Sequence, residues 1–201
     1  MEPVSLLGSD EIGRILRRMA GEIAEQTRGG PSLAIVGVRR GGVPIARRLA
    51  ALLRESERWE VPVGSLDIAL YRDDAATALP DPKIGPSEIR FDVSGRDVVI
   101  CDDVLQSGRT VRAAIDALMD YGRPRRIWLA VLIDRGGREL PIAADFVGRV
   151  LDVPLAARLD ARLDEPGEPD ALWQVSRRAP RTSDPDVGRV VHSGSESEEP
   201  S

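Results

Sequence analysis

Apolar and polar positions recur along this chain with two different periods. Between Ser9 and Thr27 the apolar residues Ile12, Ile15, Leu16, Met19 and Ile23 fall three or four positions apart, on one face of a helix. Ser9 stands where a cap is expected, and Gly29-Gly30 where the helix ends. Four segments instead form short, nearly continuous apolar runs: Leu33–Val38 (LAIVGV), Val63–Tyr71 (VGSLDIALY), Asp97–Cys101 (DVVIC) and Ile127–Ile133 (IWLAVLI). Such runs predict strands buried on both faces. A second helix starts around Pro44 and continues to about Leu53. A third runs from about Thr110 to Tyr121, with Val111, Ala114, Ile115 and Leu118 inward and Gly122 and Pro124 as stops. Strands alternating with helices predict an α/β fold with a mainly parallel central sheet flanked by helices. Ligands of such sheets bind beyond the carboxyl ends of the strands. The loops 39–42, 102–110 and 134–138 leave those ends, so they are expected to converge.

Elsewhere the periodicity lapses. Residues 72–86 are polar, rich in Asp and Pro, and read as a long loop of the kind that often serves as a lid. The only lysine, Lys83, lies within it, as an exposed charge or as part of the lid. Residues 149–163 yield no assignment, and beyond Leu163 only Leu172–Val175 (LWQV) suggests a last strand. Pro180–Ser201 is rich in Ser, Pro and Glu and is expected to be a disordered acidic tail, leaving residues 1–179 as one domain.

Composition then removes whole classes of chemistry. Apolar residues make up 42% of the 201 and aromatic residues 3%, so the core must be aliphatic. With one cysteine, Cys101, no internal disulfide can form. The only histidine, His192, sits in the polar tail, so neither a Ser-His-Asp mechanism nor a zinc cluster can be assembled. No apolar run approaches the roughly 18–20 residues needed to cross a bilayer, and the chain reads as cytoplasmic, with no membrane partner. The net charge of −5 means that any polyanion must meet a local basic patch. What remains is carboxylates, arginines, hydroxyls and backbone amides, an inventory suited to phosphate-bearing substrates.

That inventory is concentrated in VVICDDVLQSGRT, Val98 to Thr110. A strand delivers two carboxylates, Asp102 and Asp103, to its carboxyl end, where vicinal sugar hydroxyls are natural donors to them. Val104, Leu105 and Gln106 lead to Ser107-Gly108-Arg109-Thr110, which turns into a helix start. Free N–H groups, two hydroxyls and the helix dipole there favour a phosphate. Taken alone, SGRT reads equally as a plain helix cap. The whole segment resembles the phosphoribosyl pyrophosphate (PRPP) signature of type I phosphoribosyltransferases.

The likeness extends further. LDIALYRDD at 66–74, DDVLQSGRTVRAAIDALMDYGRPRRIWLAVLIDRGGRELPI at 102–142 and ADFVG at 144–148 resemble the PyrR family, over about residues 10–150. Members of that family are bifunctional pyrimidine-operon regulators with uracil phosphoribosyltransferase activity. The resemblance implies a type I phosphoribosyltransferase fold and a reaction of uracil with PRPP and Mg²⁺, giving UMP and pyrophosphate. It also implies a homo-oligomer, dimer or higher. By this resemblance Arg39, Arg40 and Gly41 meet the pyrophosphate, and Asp102, Asp103 and the loop from Val104 to Thr110 hold the ribose 5-phosphate. Asp102, Asp103 and Arg40 are then the catalytic candidates. Asp134 is a candidate for the Mg²⁺, directly to PRPP or through water, and Arg72, Asp134 and Arg135 for the base or lid.

The regulatory half implies a messenger leader as partner, with Arg17 and Arg18 as candidate contacts and Arg123, Arg125, Arg126 and Arg138 as further basic positions. Arg14, Arg17 and Arg18 lie opposite the apolar stripe, which is also how any solvated helix face looks. Two other readings stay open: a UMP- or PRPP-sensing RNA regulator with little catalysis, and a phosphoribosyltransferase for another base. The sequence departs from the family at Arg39-Arg40-Gly41-Gly42, where KTRG is usual, and at Gly137, where DRGHREL carries histidine. It departs again at Gly21 in a TRxxH-like pattern and throughout the segment after Gly148.

Overall fold

A computed structural model describes residues 3–28, 32–69, 71 and 87–175. The expected lid at 72–86 with Arg72 and Lys83, the Gly29-Gly30 stop, and the tail with His192 lie outside the described residues. The described chain runs β1 (Val4–Gly8), α1 (Ser9–Thr27), β2 (Leu33–Val38), α2 (Gly42–Glu57), β3 (Val63–Leu66), β4 (Asp97–Leu105), α3 (Arg109–Met119), β5 (Arg126–Asp134), β6 (Phe146–Val150), β7 (Arg158–Arg162) and β8 (Ala171–Val175). Five strands form a parallel sheet in the order β3-β2-β4-β5-β6. The remaining three form a small antiparallel sheet in the order β1-β8-β7.

The period of two along each central strand divides its side chains between two cores. Ile35, Val99, Cys101, Ala130 and Leu132 face α1 and α2, packing with Ile12, Leu16, Met19, Ile23, Ile45, Leu49 and Leu53. Ala34, Val36, Val38, Val98, Ile100, Leu129 and Val131 face the other way, onto Val111, Ala114, Ala117 and Leu118 of α3. Both faces of the sheet are therefore dry, which is why the strands read as unbroken apolar runs. The small sheet joins the first core through Leu7, Leu163 and Leu172. Arg48 of α2 binds Asp164 and Asp170, the two carboxylates flanking the β7–β8 connection, and so ties that sheet down. Among the described residues no helix is long and apolar enough to cross a membrane.

Several boundaries differ from the periodicity. Ser9 does not cap α1; Gly8 occupies the cap position, no side chain bonds there, and Ser9 opens the helix. Its other end is the left-handed Arg28, at φ 49°. α2 begins two residues before Pro44 and runs past Leu53 to Glu57. β3 stops at Leu66 rather than Tyr71, because Asp67 turns back: its carboxylate accepts the Ala69 N–H at 2.9 Å. β4 continues through the acidic pair to Leu105, since β5 keeps pairing with it as far as Asp134. α3 covers Arg109–Met119, with Ile115 only partly buried. β1, β6 and β7 were not anticipated. LWQV does form a strand, but in the small sheet, where β1 and β7 flank it.

Candidate functional site

The loops after β2, β4 and β5 meet at the carboxyl end of the sheet, around two adjoining cavities. One, of about 340 Å³, is lined by Asp102, Val104–Gly108, Thr110, Val111 and Arg135, and on its far side by Leu155, Ala157, Arg158 and Leu159. The other, of about 270 Å³, is lined by Arg39, Arg40, Gly41, Asp67, Ile68, Ala69, Asp102, Asp103, Val104 and Thr110. Asp102, Val104 and Thr110 belong to both, so the acidic pair stands between two compartments.

The acidic pair is held by the strand itself. Asp102 is 5% exposed and accepts the Asp103 N–H at 3.1 Å, and Asp103 accepts the Val104 N–H at 2.8 Å. Burial pushes the Asp103 carboxyl above its ordinary range, the Val104 N–H opposes this, and the charge of Asp160 on β7 adds to it. Asp103 has no arginine within ion-pair reach among the described residues. A carboxylate kept dry without a cation is costly, and a ligand bearing hydroxyl donors offsets that cost. Cys101, just before the pair, is fully buried and its thiol is pushed up by that burial, which leaves it a core residue.

Beyond the pair the chain forms an open cradle ahead of α3. Gly108 takes φ 91°, a left-handed conformation that glycine enters without strain, and it supplies no side-chain cap for α3. The cradle is braced from the loop after β5. Glu139 and Leu140 donate their N–H groups to the Ser107 carbonyl, each at 3.0 Å. Arg138 donates to the carbonyls of Gln106 (3.0 Å) and Ile142 (2.9 Å) and to Asp134 (2.5 Å). The conspicuous DRGGRELPI segment thus acts largely as scaffolding for the loop that precedes α3. Arg109 itself points outward and pairs with Glu139 at 2.7 Å.

The remaining candidates fall out unevenly. Arg39 donates to Ser65 at 3.2 Å and pairs with Glu88 at 3.5 Å, so its guanidinium lies along β3. Arg40 is exposed and lines the second cavity, and its side chain makes no hydrogen bond or ion pair among the described residues. Gly41 lies so close to Asp103 that a Cβ there would be driven into its carboxylate. Asp134 spends one oxygen on Arg138 and the other on the Gly136 N–H. Burial alone would raise its carboxyl; Arg138 and Gly136 outweigh that and hold it below the usual range. Arg135, 7% exposed, donates to the carbonyls of Pro154 and Ala157 rather than into open space. Residues 149–163 are thereby placed: they comprise the end of β6, the connection to β7 and β7 itself, and Leu155 to Leu159 supply the far wall of the first cavity. Leu155, Ala157, Arg158 and Leu159 carried no periodic signal, so the sequence reading missed them.

The basic positions are dispersed. Arg18 pairs with Glu22 at 2.6 Å and donates to the carbonyls of Val147 and Gly148 on edge strand β6, at 3.0 and 2.5 Å. Arg17 is exposed and has no partner among the described residues. Arg125 is committed to Asp97 at the opposite end of the sheet, and Arg126 lies over the Trp128 ring at 4.9 Å. Arg138, a surface candidate by sequence, is three-quarters buried in the loop scaffold.

Comparison with known proteins agrees with this geometry. Residues 5–166 match the phosphoribosyl transferase domain family. The chain is 56% identical over 160 residues to the bifunctional protein PyrR of Roseiflexus sp. (strain RS-1), covering 80% of this chain and 87% of that protein. It is 47% identical over 171 residues to the bifunctional protein PyrR of Thermus thermophilus, with coverages of 84% and 94%. Among solved structures, a hypoxanthine-guanine phosphoribosyltransferase from Bacillus anthracis superposes with a TM-score of 0.61 at 17% identity, over 76% of this chain and 86% of that one. A hypoxanthine phosphoribosyltransferase from Staphylococcus aureus gives 0.57 at 19%, over 76% and 80%. At such identities the structural likeness speaks for the fold alone. The sequence likeness is of another order, and it makes this chain a member of the phosphoribosyl transferase family and, within it, of the PyrR group.

Proposed function

We propose that the protein transfers the 5-phosphoribosyl group of PRPP to uracil, forming UMP and releasing pyrophosphate. The observation that carries this reading is the acidic pair, Asp102 buried and Asp103 part-buried, standing between two cavities, with a helix-start phosphate cradle in one and an uncommitted arginine in the other. Membership of the PyrR group supports uracil as the base.

In this reading the N–H groups and hydroxyls of Ser107–Thr110 hold the 5′-phosphate, and Asp102 and Asp103 accept hydrogen bonds from the ribose hydroxyls. The C1′–O bond to pyrophosphate breaks as N1 of uracil bonds to C1′, and the N1 proton passes to the departing pyrophosphate or to water. Positive charge then develops on the sugar beside Asp102 and Asp103, and negative charge on the leaving group beside Arg40 and the Gly41 backbone. Fixed charges aimed at developing ones lower the barrier without reorganisation. Arg39 orders the first loop through Ser65 and Glu88. Mg²⁺ takes oxygen ligands, keeps several waters and completes its shell with substrate phosphates. The Asp102 and Asp103 carboxylates beside the second cavity suit it, whereas Asp134 is engaged by Arg138 and Gly136. Bound there, Mg²⁺ would neutralise pyrophosphate charge.

Purified protein given PRPP, Mg²⁺ and uracil is expected to release pyrophosphate. Release with guanine or hypoxanthine but none with uracil would transfer the reading to another base.

The relatives' designation as bifunctional supports a second reading, an RNA-binding regulator that senses UMP or PRPP and works as a homo-oligomer. Exposed Arg17 favours it, while Arg18 is already engaged on β6. RNA affinity for a pyrimidine-gene leader should then respond to UMP and fall with salt. A flat mobility-shift titration at low salt would remove this role.

A further inference from the structure

The connection between β6 and β7 contains a tight turn at Pro154–Ala157, closed by the Ala157 N–H donating to the Pro154 carbonyl at 2.9 Å. Arg135 grips both ends of that turn, with Nη2 on the Pro154 carbonyl at 2.7 Å and Nη1 on the Ala157 carbonyl at 2.9 Å. A planar guanidinium supplies two such donors in fixed geometry, which an ammonium does not. The Arg135 backbone N–H donates in turn to the Leu105 carbonyl, so the clamp is rooted in the strand that leads to the phosphate loop.

At the corner of this turn stands Leu155. An exposed leucine is unremarkable in itself. This one, 58% exposed, lines the same cavity as Asp102, Ser107 and Thr110. It also rests on Gly137, where an added Cβ would lie 2.6 Å from Leu155 Cδ2. Gly137 further adopts φ 74°, which an L side chain enters only with strain. A side chain at 137 and Leu155 on its clamped turn therefore compete for one volume, and in this chain the volume belongs to Leu155.

If Ser107–Thr110 and Asp102 hold the ribose 5-phosphate, the part of the cavity left for the base is bounded by Leu105, Arg135, Leu155, Ala157 and Leu159. We propose that Leu155, presented by the Arg135-clamped turn and seated on Gly137, is a specificity-determining residue that forms an apolar wall against the face of a planar base. This inference rests on the phosphoribosyl transfer proposed above. The leucine excludes water from the ring face and offers its edges no hydrogen bond, so it selects for size and flatness. Arg135 is a positioning residue that acts through the turn.

The test uses the full chain with Leu155→Ala, Leu155→Met, Gly137→Ala and the Gly137→Ala, Leu155→Ala double substitution, reading pyrophosphate release against uracil and PRPP. Leu155→Ala should raise the KM for uracil about tenfold and leave the KM for PRPP within about twofold, at the lower end of what a lost apolar contact costs in a binding pocket. Leu155→Met, which nearly conserves volume, should stay within about threefold of the unsubstituted chain. Gly137→Ala should impair the unsubstituted background more than the Leu155→Ala background, as contacting residues couple. An unchanged KM for uracil in Leu155→Ala, or an equal rise in the KM for PRPP, overturns the proposal. Absence of uracil turnover in the unsubstituted chain would instead count against the uracil reading. Calorimetry with UMP and PRPP then decides the role of Leu155, because the two share a ribose 5-phosphate and differ in the base. An affinity for UMP about tenfold weaker in Leu155→Ala, with PRPP affinity kept, supports the role; equal affinities for both ligands overturn it.

Discussion

Strand β4 begins on Asp97 and carries Asp103 near its far end, and these two carboxylates follow opposite electrostatic rules. At the start, Asp97 is 6% exposed and takes both Nε and Nη2 of Arg125, at 2.9 and 2.5 Å. That hydrogen-bonded guanidinium holds its carboxyl below the ordinary range in spite of burial. At the far end, Asp103 is part-buried, accepts the Val104 N–H, meets no arginine among the described residues, and is pushed up by desolvation. A buried carboxylate that the fold neutralises supports structure, whereas one left without a cation raises the free energy of the empty protein. The second arrangement is sensible only where something else arrives to complete it.

The contrast breaks most visibly if the far end is neutralised. An Asp102→Asn, Asp103→Asn variant should lose roughly 10²- to 10⁴-fold in calorimetric PRPP affinity, two charge-assisted hydrogen bonds being worth roughly 1.5–3 kcal/mol each. The Asp103→Asn single variant should keep its thermal midpoint, because among the described residues no ion pair is broken at Asp103. Undiminished affinity in the double variant would dismiss the acidic pair as the sugar site.

This difference between the ends is not visible in the sequence, where the two look alike. The strands and helices were legible because burial on both faces writes itself as apolar runs, and packing on one face as a three-to-four spacing. The acidic pair was legible because SGRT follows at a fixed distance. Arg125 lies 28 positions from Asp97, so no local pattern joins them. Arg135 was legible as a candidate, but its role depends on Pro154 and Ala157, carbonyls with no side-chain signature. β1 and β7 were missed for a related reason. Each is five residues long and only partly buried, and the small sheet exists only once β8 lies between them. The first loop shows the reverse case. Arg39 and Arg40 are adjacent and identical, and it takes Ser65 and Glu88 to separate the arginine that braces from the one that stays available.

A second way to sharpen the comparison is to remove the cation at the near end. Arg125→Ala should lower the thermal midpoint by a few degrees and leave PRPP affinity within about twofold, since Asp97 stays buried but loses its partner. Arg125 is largely exposed, so water replaces part of what the pair contributes and the effect stays modest. The pH dependence follows from the lowered carboxyl. The stabilisation by the pair is fully present above the ordinary aspartate value and fades as pH falls through the depressed folded value. The variant and the unsubstituted chain should therefore converge in stability in strong acid. A variant that loses PRPP binding as much as stability would show that the two ends are coupled.

The smallest effect is the most discriminating, because it asks for opposite slopes from one group. With its folded value raised, Asp103 retains its proton in the native protein over a window where the unfolded chain has lost it. Its contribution to the stability of the empty protein is thus greatest below the ordinary aspartate value and declines as pH rises towards the folded one. A sugar hydroxyl, however, donates best to the ionised carboxylate, so PRPP affinity should climb through the same window. The phosphates of PRPP titrate as well, but they do so equally for the Asp103→Asn variant. The ratio of the two affinities against pH therefore isolates Asp103, and it should grow several-fold from acid towards neutrality. A flat ratio would mean that Asp103 is already ionised when empty, and that the contrast with Asp97 lies in geometry rather than in charge.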